Sequence, residues 1–262
     1  MNKLFIIKIG GNVLDNETAL KSFLKDFSSI DAPKILIHGG GKIATKLGDQ
    51  LGIESKYVNG RRITDEQTRD LVTMVYGGLI NKQIVAQLQQ LNCNALGVTG
   101  ADGNLIKAAK RPVKEIDYGF VGDVVPTNVN TSLLQSLLTQ KVVPIFAPLT
   151  HSDGAILNTN ADTIASVLAI ALSKYFDTRL IFCFEKKGVL QDINDENSVI
   201  RLLTQASYTH GLEQGIFADG ILPKLENAFS AINAGVNEVL IGLARDLVKN
   251  TKEKTEGTLI TK

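Results

Sequence analysis

Several features on which large classes of proteins depend are scarce in this sequence. Its 262 residues include two cysteines, Cys93 and Cys183, which lie in apolar contexts and show no pairing pattern. A disulfide-stapled scaffold is therefore excluded, and a reducing compartment is the simpler interpretation. The formal net charge is +1, so no global electrostatic field favours nucleic acid or an acidic membrane surface as a partner.

The sequence predicts no targeting or membrane segment either. Because Lys8 and Gly10–Gly11 interrupt the apolar run near the N-terminus, we expect no signal peptide, and no stretch reaches the length of a membrane span. Hydrophobic residues make up 44% and charged residues 21% of the chain, as in ordinary globular proteins. We expect a soluble, cytoplasmic protein without membrane or nucleic-acid partners.

What the sequence does contain is an alternation of strand and helix patterns. Strands are predicted at 3–8, 34–38, 95–99, 142–146, 180–184, 238–242 and 258–260, and helices at 17–28, 41–52, 65–77, 80–91, 130–140, 160–173 and 220–234. This alternation is typical of a mainly parallel sheet covered by helices, and no linker or repeat interrupts it. A single α/β domain with one shared sheet is predicted. Residues 102–126, broken by glycines and a proline, instead predict a β-hairpin excursion that could cover a site.

Two of the predicted strands end in glycine-rich turns. The first ends in Lys8 and is followed by Gly10–Gly11, and the second ends in His38 and is followed by Gly39–Gly41. Glycine lets peptide N–H groups approach an anion, the following helix contributes the positive end of its dipole, and Lys8 adds a full charge. Ligands of open α/β sheets bind outside the carboxyl ends of the strands, so this edge is predicted to bind phosphate. Neither turn fits the dinucleotide-binding fingerprint or the Walker A loop.

Two adjacent arginines form another polar cluster. Arg61 and Arg62 are predicted to lie in a turn before a helix that Thr64 or Asp65 can cap. The planar guanidinium fork suits carboxylates and phosphates. The alternative is a solvated pair of surface charges, which is the usual fate of neighbouring arginines.

Two further helix starts carry polar residues. Asn160 can cap the apolar helix that follows it, and Asp162 then lies in the first turn, where its charge suits the dipole, but capping leaves Asn158 unexplained. Lys224 lies in the first turns of another helix, where a positive charge is unfavourable unless an anion binds there. An ordinary surface lysine is the alternative.

A nucleophile activated by a base is missing. The sequence shows no Ser-His-Asp pattern, its three histidines (His38, His151 and His210) lack metal-ligand spacing, and His38 is expected to hydrogen-bond the backbone of its glycine turn. The remaining glycines, lysines, arginine fork and aspartate suit phosphoryl transfer to an acceptor that is already anionic. A carboxylate needs no deprotonation, so catalysis reduces to positioning and charge neutralisation.

In this order and at these separations, the motifs resemble those of the amino acid kinase family, and within it the acetylglutamate kinases. The match covers essentially the whole chain: K-I-G-G at 8–11, H-G-G-G at 38–41, N-G-R-R-I-T at 59–64, N-T-N-A-D at 158–162, D-G-I-L-P-K at 219–224 and G-T-L-I at 257–260. The resemblance implies a three-layer αβα sandwich around a mainly parallel sheet of about eight strands. Residues 1–150 would bind the acylated amino acid and residues 151–262 would bind ATP. The implied reaction phosphorylates the γ-carboxylate of N-acetyl-L-glutamate in arginine biosynthesis.

The resemblance also implies catalytic and substrate-binding roles. Lys8 and Lys224 match the two lysines that neutralise the transferring phosphoryl group, and Asp162 matches the aspartate that holds them in place. Arg62 matches the arginine that forks onto the substrate α-carboxylate. Asn158 matches a side chain that holds the backbone-like end of the substrate.

Backbone and nucleotide contacts follow from the same resemblance. Gly40 and Gly41 match donors to the acylated amino acid, and Gly10 and Gly11 match donors to phosphate. The expected ATP contacts are Glu185, Lys186, Lys187, Gly188, Val189, Leu190, Ile216, Phe217 and Ala218. Mg²⁺ is expected to be held by the phosphates and water rather than by protein ligands, since no carboxylate pair is positioned for it.

Two departures from the family pattern affect the nucleotide and acyl ends. The nucleotide segment usually reads small-Asp-Val-x-Gly, whereas here it reads F-E-K-K-G at 184–188, so the adenosine contacts are harder to assign. Leucine is common before the substrate arginine, where this chain has Arg61. This additional cation could receive a charged acyl group such as succinyl, or it could point to solvent.

Three alternatives stay open at this point: an N-succinyl-L-glutamate kinase, another amino acid kinase such as carbamate kinase, and a catalytically silent ligand-binding member of the fold. The presence of both Lys8 and Lys224 together with Asp162 argues against a catalytically silent member, because ligand binding alone would not require the lysine pair. The resemblance implies a homodimer. Arginine-inhibited relatives carry an additional N-terminal helix, whereas here the first predicted strand begins by about residue 3, so we expect insensitivity to arginine.

Overall fold

The computed structural model describes residues 1–192, 194–217 and 221–262. The strands are β1 (Lys3–Ile9), β2 (Lys34–His38), β3 (Tyr57–Val58), β4 (Arg61–Arg62), β5 (Ala95–Val98), β6 (Ala109–Lys110), β7 (Gly122–Asp123), β8 (Val143–Phe146), β9 (Leu149–Ser152), β10 (Ala155–Asn158), β11 (Asp177–Phe184), β12 (Leu202–Leu203), β13 (Glu238–Leu243) and β14 (Thr258–Ile260). The helices are α1 (Gly11–Leu14), α2 (Glu17–Ser28), α3 (Gly41–Gln50), α4 (Glu66–Val72), α5 (Asn81–Gln90), α6 (Thr131–Thr139), α7 (Ala161–Leu172), α8 (Gln205–Glu213), α9 (Leu222–Asn233) and α10 (Leu247–Asn250). A π-helical segment, Thr73–Ile80, joins α4 to α5.

Eight of the described strands form one sheet, in the order β12-β14-β13-β11-β1-β2-β8-β5. Neighbouring strands are parallel except for β13 and β14. The central strand β1 is apolar along most of its length, as expected of a strand that is covered on both faces. This topology confirms the predicted mainly parallel sheet and its strand number. Both halves of the chain share the sheet.

The core divides into two clusters, one on each face of the sheet. Leu4 and Ile6 of β1 belong to the cluster that includes the apolar faces of α7 and α9. Phe5 and Ile7 belong to the other cluster, with α2 and α5. Successive side chains of a strand point to opposite faces, so β1 supplies both clusters. Helices, sheet and helices therefore make the three layers of the predicted αβα sandwich.

The carboxyl ends of the central strands meet at one edge, as the glycine turns predicted. Lys8 of β1 is in register with Ile37 of β2 and with Phe182 of β11, and Ile9 is in register with His38. The two glycine turns therefore leave the sheet side by side. None of the described helices combines the length and apolar character needed to cross a bilayer.

Two predicted features of the N-terminal half differ from the structure. The helices expected at 65–77 and 80–91 are one helical run, because the π-helical segment joins α4 directly to α5. The placement of Arg61 and Arg62 in a turn is wrong, because they form β4 and pair with β3 across the Asn59–Gly60 turn. Both turn residues have positive φ, 49° and 71°, as a two-residue hairpin turn requires.

A second hairpin was not predicted, although the sequence carries its signal. Strands β9 and β10 pair antiparallel around Asp153–Gly154, whose φ values are 49° and 78°, and Asp-Gly is a strong signal for this turn. Helix α8 and the short strand β12 were also missed. The hairpin expected within 102–126 is confirmed as the antiparallel pair β6–β7, although each strand has only two residues.

Candidate functional site

A cavity of about 220 Å³ opens beside the second glycine turn. Its lining includes the turn Gly39–Gly41, Arg62 of β4, Tyr76 of the π-helical segment, and the run 158–161 between β10 and α7. Pockets for drug-sized ligands are usually about 300–1,000 Å³, so this one suits a smaller molecule. The cavity brings together Gly40, Gly41, Arg62 and Asn158, the four residues expected at the substrate site.

Arg62 is held firmly against the wall of this cavity. Its side chain is buried, Nη2 donates to the Gly41 carbonyl at 2.9 Å and to Thr45 Oγ1 at 2.9 Å, and Nη1 donates to Ser55 Oγ. The guanidinium also stacks over the Tyr57 ring, 4.8 Å from its centroid. Because these contacts already fix the side chain, it loses little conformational freedom when a ligand binds, and the guanidinium is preorganised for an anionic ligand.

The π-helical segment packs closely against the second glycine turn. Gly40 has φ of +150°, and a Cβ atom there would lie 2.5 Å from Ile80 Cδ1 and 2.9 Å from the Tyr76 ring. Glycine is therefore required both for the backbone conformation and for the space. Burial raises the pKa of Tyr76, although the charge of Arg62 opposes this shift. Sequence reasoning missed Tyr76, because the patterns around it indicated only an ordinary helix.

His38 lies beneath the second glycine turn and is completely buried. Its Nδ1 lies 2.7 Å from the Gly39 carbonyl oxygen, which confirms the predicted backbone hydrogen bond. Burial lowers the pKa of His38 to about 4, although the bond to Gly39 opposes the shift. The imidazole is therefore neutral at physiological pH, which excludes a permanent cation at this position.

The run from the end of β10 to the first turn of α7 contributes three of the predicted polar residues. Asn160 accepts a hydrogen bond from the Thr163 backbone N–H at 3.0 Å and so caps α7, as predicted. Asn158 donates to Thr64 Oγ1 at 3.1 Å, which fixes its side chain at the cavity wall. Asp162 lies in the first turn of α7, where its charge suits the helix dipole.

The three predicted catalytic residues line one small cavity of about 20 Å³, together with Phe184 and Asn227. Lys8 Nζ lies 2.8 Å from Asp162 Oδ1, and both side chains are partly accessible. Lys224 lies in the first turn of α9, and its Nζ is 5.0 Å from the centroid of the Phe184 ring. Two lysines and one aspartate thus converge from three different elements.

The first glycine turn lies beside this lysine cluster. Gly10 precedes α1 and Gly11 begins it. A Cβ atom at Gly10 would lie 3.6 Å from Lys8 Nζ, so the ammonium group lies over the turn. Nearby, burial raises the pKa of the Cys183 thiol to about 12 against the opposing charge of Lys8. Cys183 is therefore protonated near neutral pH and is a poor nucleophile.

The expected nucleotide segment after β11 is polar at its start. Glu185 is exposed, Lys186 Nζ lies 3.7 Å from a Glu196 carboxylate oxygen, and Lys187 donates to Asn197 Oδ1 at 2.8 Å. These contacts link the segment to the loop before β12. Leu190 continues the segment in a single bridge to Val199.

Other expected nucleotide contacts turn toward the core. Val189 is 1% exposed and Phe217 is 7% exposed, and both belong to the larger core cluster, against which Ile216 packs. A Cβ atom at Gly188 would lie 2.6 Å from Thr258 Oγ1. Buried side chains leave only backbone groups for a ligand at these positions. Ala218 lies outside the described residues.

Arg111 is a cavity residue that sequence reasoning missed. It follows β6, its Nε donates to Asp123 Oδ1 of β7 at 3.0 Å, and it lines the cavity together with Arg61. No local motif marks it, because only the β6–β7 pairing brings it to the site. Arg61 is exposed, yet it also lines a neighbouring open groove of about 520 Å³. Arg61 adds positive charge near the cavity, whereas the charge of Arg111 is paired with Asp123.

Within residues 1–192, 194–217 and 221–262, no group of three or more His, Cys, Asp or Glu side chains is arranged to hold a metal ion.

Comparison with known proteins agrees with this geometry. The model of the amino acid kinase family matches residues 3–242. Acetylglutamate kinase of Bacteroides thetaiotaomicron is 56% identical over 261 residues, covering 99% of each chain, and that of Cytophaga hutchinsonii is 55% identical, covering 98% of each. The solved structure of Giardia lamblia carbamate kinase bound to AMP-PNP covers 100% of this chain and 98% of its own, with a TM-score of 0.72 and 14% identity, so it supports the fold alone. The chain belongs to the amino acid kinase family.

Proposed function

We propose that this protein transfers the γ-phosphoryl group of ATP to the γ-carboxylate of N-acetyl-L-glutamate, a step of arginine biosynthesis. The observation that carries the proposal is the pairing of two sites at one sheet edge. One site is the cavity with the buried Arg62, and the other is the cluster of Lys8, Asp162 and Lys224. The names of the close relatives support the same reaction.

The cavity is proposed to bind the acylated amino acid. Arg62 would pair with the substrate α-carboxylate through its guanidinium fork. The backbone N–H groups of Gly40 and Gly41, at the start of α3, would donate to carboxylate or phosphoryl oxygens. The amide of Asn158 would contact the N-acyl end of the substrate. This orientation directs the substrate γ-carboxylate toward the lysine cluster.

The lysine cluster is proposed to stabilise the transferring phosphoryl group. A γ-carboxylate oxygen attacks the γ-phosphorus, a new O–P bond forms, and the bond to the bridging β,γ-oxygen breaks to release ADP. The acceptor is already ionised, so no side chain needs to remove a proton. Lys8 and Lys224 would neutralise charge on the phosphoryl oxygens, and Asp162, 2.8 Å from Lys8, would hold Lys8 in position.

The nucleotide is proposed to bind over the C-terminal half of the chain. Its phosphates would reach Gly10 and Gly11, and its adenosine would lie along 185–190 and 216–218, where the core-facing side chains favour backbone contacts. This assigns most contacts of the acylated amino acid to residues 1–150 and the adenosine of ATP to residues 151–262, with residues of both halves around the phosphates. Mg²⁺ would accompany the phosphates with water ligands, as is usual for this ion.

Specific features of the cavity favour an acylated amino acid over carbamate. Carbamate has a single anionic group, which must receive the phosphoryl group, so it would leave the buried Arg62 guanidinium with neutral hydrogen-bond acceptors and no anionic partner. An unpaired buried charge is costly.

We further propose that the protein acts in the cytoplasm as a homodimer, and light scattering of the purified protein would test the dimer.

The proposal is tested by coupled ADP-release assays with ATP and one acceptor at a time. N-acetyl-L-glutamate should give ADP and a product that hydroxylamine converts to a hydroxamate. L-glutamate and carbamate should give little, and N-succinyl-L-glutamate tests the acyl preference. ADP release with carbamate alone, or no turnover with any acylated glutamate, would refute the proposed function.

A further inference from the structure

A buried polar chain joins the glycine turn to the start of α5. His38 Nε2 lies 3.2 Å from Asn81 Nδ2, and the same amide nitrogen donates to the Ile145 carbonyl at 2.9 Å. Asn81 is 1% exposed, and its Oδ1 accepts from Lys82 Nζ at 3.3 Å. A Cβ atom at residue 97, where the chain has Gly97, would lie 2.0 Å from Asn81 Oδ1. Only glycine at position 97 therefore leaves room for the Asn81 amide.

The partners at both ends of the imidazole require the same tautomer. The Gly39 carbonyl can only accept, so the proton of a neutral His38 must lie on Nδ1. Nε2 is then an acceptor, and the Asn81 amide nitrogen faces it as a donor. The amide orientation is set independently, because the Ile145 carbonyl can only accept and the Lys82 ammonium can only donate.

The contact between His38 Nδ1 and the Gly39 carbonyl fixes the orientation of the Gly39–Gly40 peptide at the cavity. In a planar trans peptide the C=O and N–H bonds point in opposite directions. The Gly39 carbonyl is held toward the buried His38 ring, so the N–H of Gly40 is directed away from that ring, in a turn whose glycines both line the cavity. With glycine on both sides, little else restrains rotation of this peptide.

We infer that His38 is a positioning residue: held by Asn81 as the Nδ1–H tautomer, it locks the Gly39–Gly40 peptide so that the Gly40 N–H faces the substrate. This inference rests on the proposed function, in which that N–H donates to the anionic groups of the reactants. A donor aimed before the reaction begins needs no reorganisation when charge develops. His38 itself touches neither reactant.

Two variants of His38 separate the Nδ1 role from general packing. His38→Asn places an amide nitrogen near the position of Nδ1, so it can still donate to Gly39. His38→Gln extends its amide toward the position of Nε2 and loses that bond. We expect His38→Gln to lower kcat at least about tenfold with both KM values little changed, and His38→Asn to stay within about threefold of wild type. Equal kcat losses in both variants would overturn the inference, and thermal melting of both shows whether each is folded.

The tautomer can be read without any activity measurement. A long-range ¹H–¹⁵N spectrum of the whole wild-type protein at pH 7 should show His38 Nδ1 as protonated and Nε2 as bare, and the His38→Asn spectrum identifies the signal by its loss. A proton on Nε2 would overturn the inference even if either variant failed to fold. The kinetic comparison uses whichever acceptor wild type turns over, so failure with N-acetyl-L-glutamate alone counts against the proposed function and not against the positioning role.

Discussion

Replacing Arg62 by lysine should chiefly raise the Michaelis constant for the acylated amino acid. Nη1 and Nη2 of Arg62 are already oriented by Ser55, Thr45 and the Gly41 carbonyl, so the guanidinium is ordered before substrate binds and would exchange some of these neutral acceptors for the substrate carboxylate. A lysine ammonium is a point charge on a flexible stem and cannot reproduce two parallel hydrogen bonds to one carboxylate. The substitution keeps the charge but removes the geometry.

The size of the effect follows from the bonds that are lost. A hydrogen bond to a charged group contributes about 1.5–3 kcal/mol, and about 1.4 kcal/mol corresponds to a factor of ten in affinity. Losing one of two charge-assisted bonds to the α-carboxylate should therefore raise KM for N-acetyl-L-glutamate about 10- to 150-fold. KM for ATP should stay nearly unchanged, because the nucleotide is assigned to the other half of the chain.

The matched control is Arg61→Lys, the same substitution at the adjacent residue, which is exposed. Steady-state kinetics with each substrate varied in turn should show no more than a small change for this variant. Thermal melting of both variants separates binding losses from unfolding. A large rise in KM for ATP in Arg62→Lys, with KM for the acylated amino acid unchanged, would refute the assignment of Arg62 and of the two halves.

The other predictions concern catalysis, acyl preference and stability. Lys8→Ala or Lys224→Ala should lower kcat by a factor of a hundred or more with little change in KM, since one preorganised donor contributes on the order of 3 kcal/mol; near-normal kcat in either variant removes that lysine from the mechanism. Arg61→Leu should lower kcat/KM for N-succinyl-L-glutamate and spare N-acetyl-L-glutamate, because Arg61 adds a cation at the cavity mouth; an unchanged ratio makes it a surface residue. Burial acts to raise the pKa of Glu238. Hydrogen bonds from Arg179 and Lys3 outweigh the effect of burial and hold this pKa below its ordinary value. Glu238→Gln should therefore lower the free energy of unfolding by about 1–3 kcal/mol at pH 7, and the difference from wild type should shrink as pH falls below about 4, through the lowered pKa; in urea titrations, a difference that does not depend on pH contradicts this account.

Much of the fold and site was predictable because the signals are local. The apolar run before Lys8 and the glycines after His38 each lie within one short stretch, and parallel strands bring such strand ends to one edge. Capping of α7 by Asn160 likewise depends on residues three positions apart. The Asp153–Gly154 turn belongs to the same class, since the Asp-Gly pair that signals it is itself local.

The sequence by itself thus determined the order of strands and helices, the edge at which the polar motifs meet and the family to which their spacing points. The tertiary structure alone decided which side chains complete the site. Arg111 reaches the cavity through the β6–β7 pairing, Tyr76 reaches it through the π-helical segment, and the His38 ring meets the amide of Asn81, 43 residues further along the chain. No local pattern encodes these contacts, because each depends on the packing of elements that are distant in sequence, and in a close-packed interior that packing determines which groups meet.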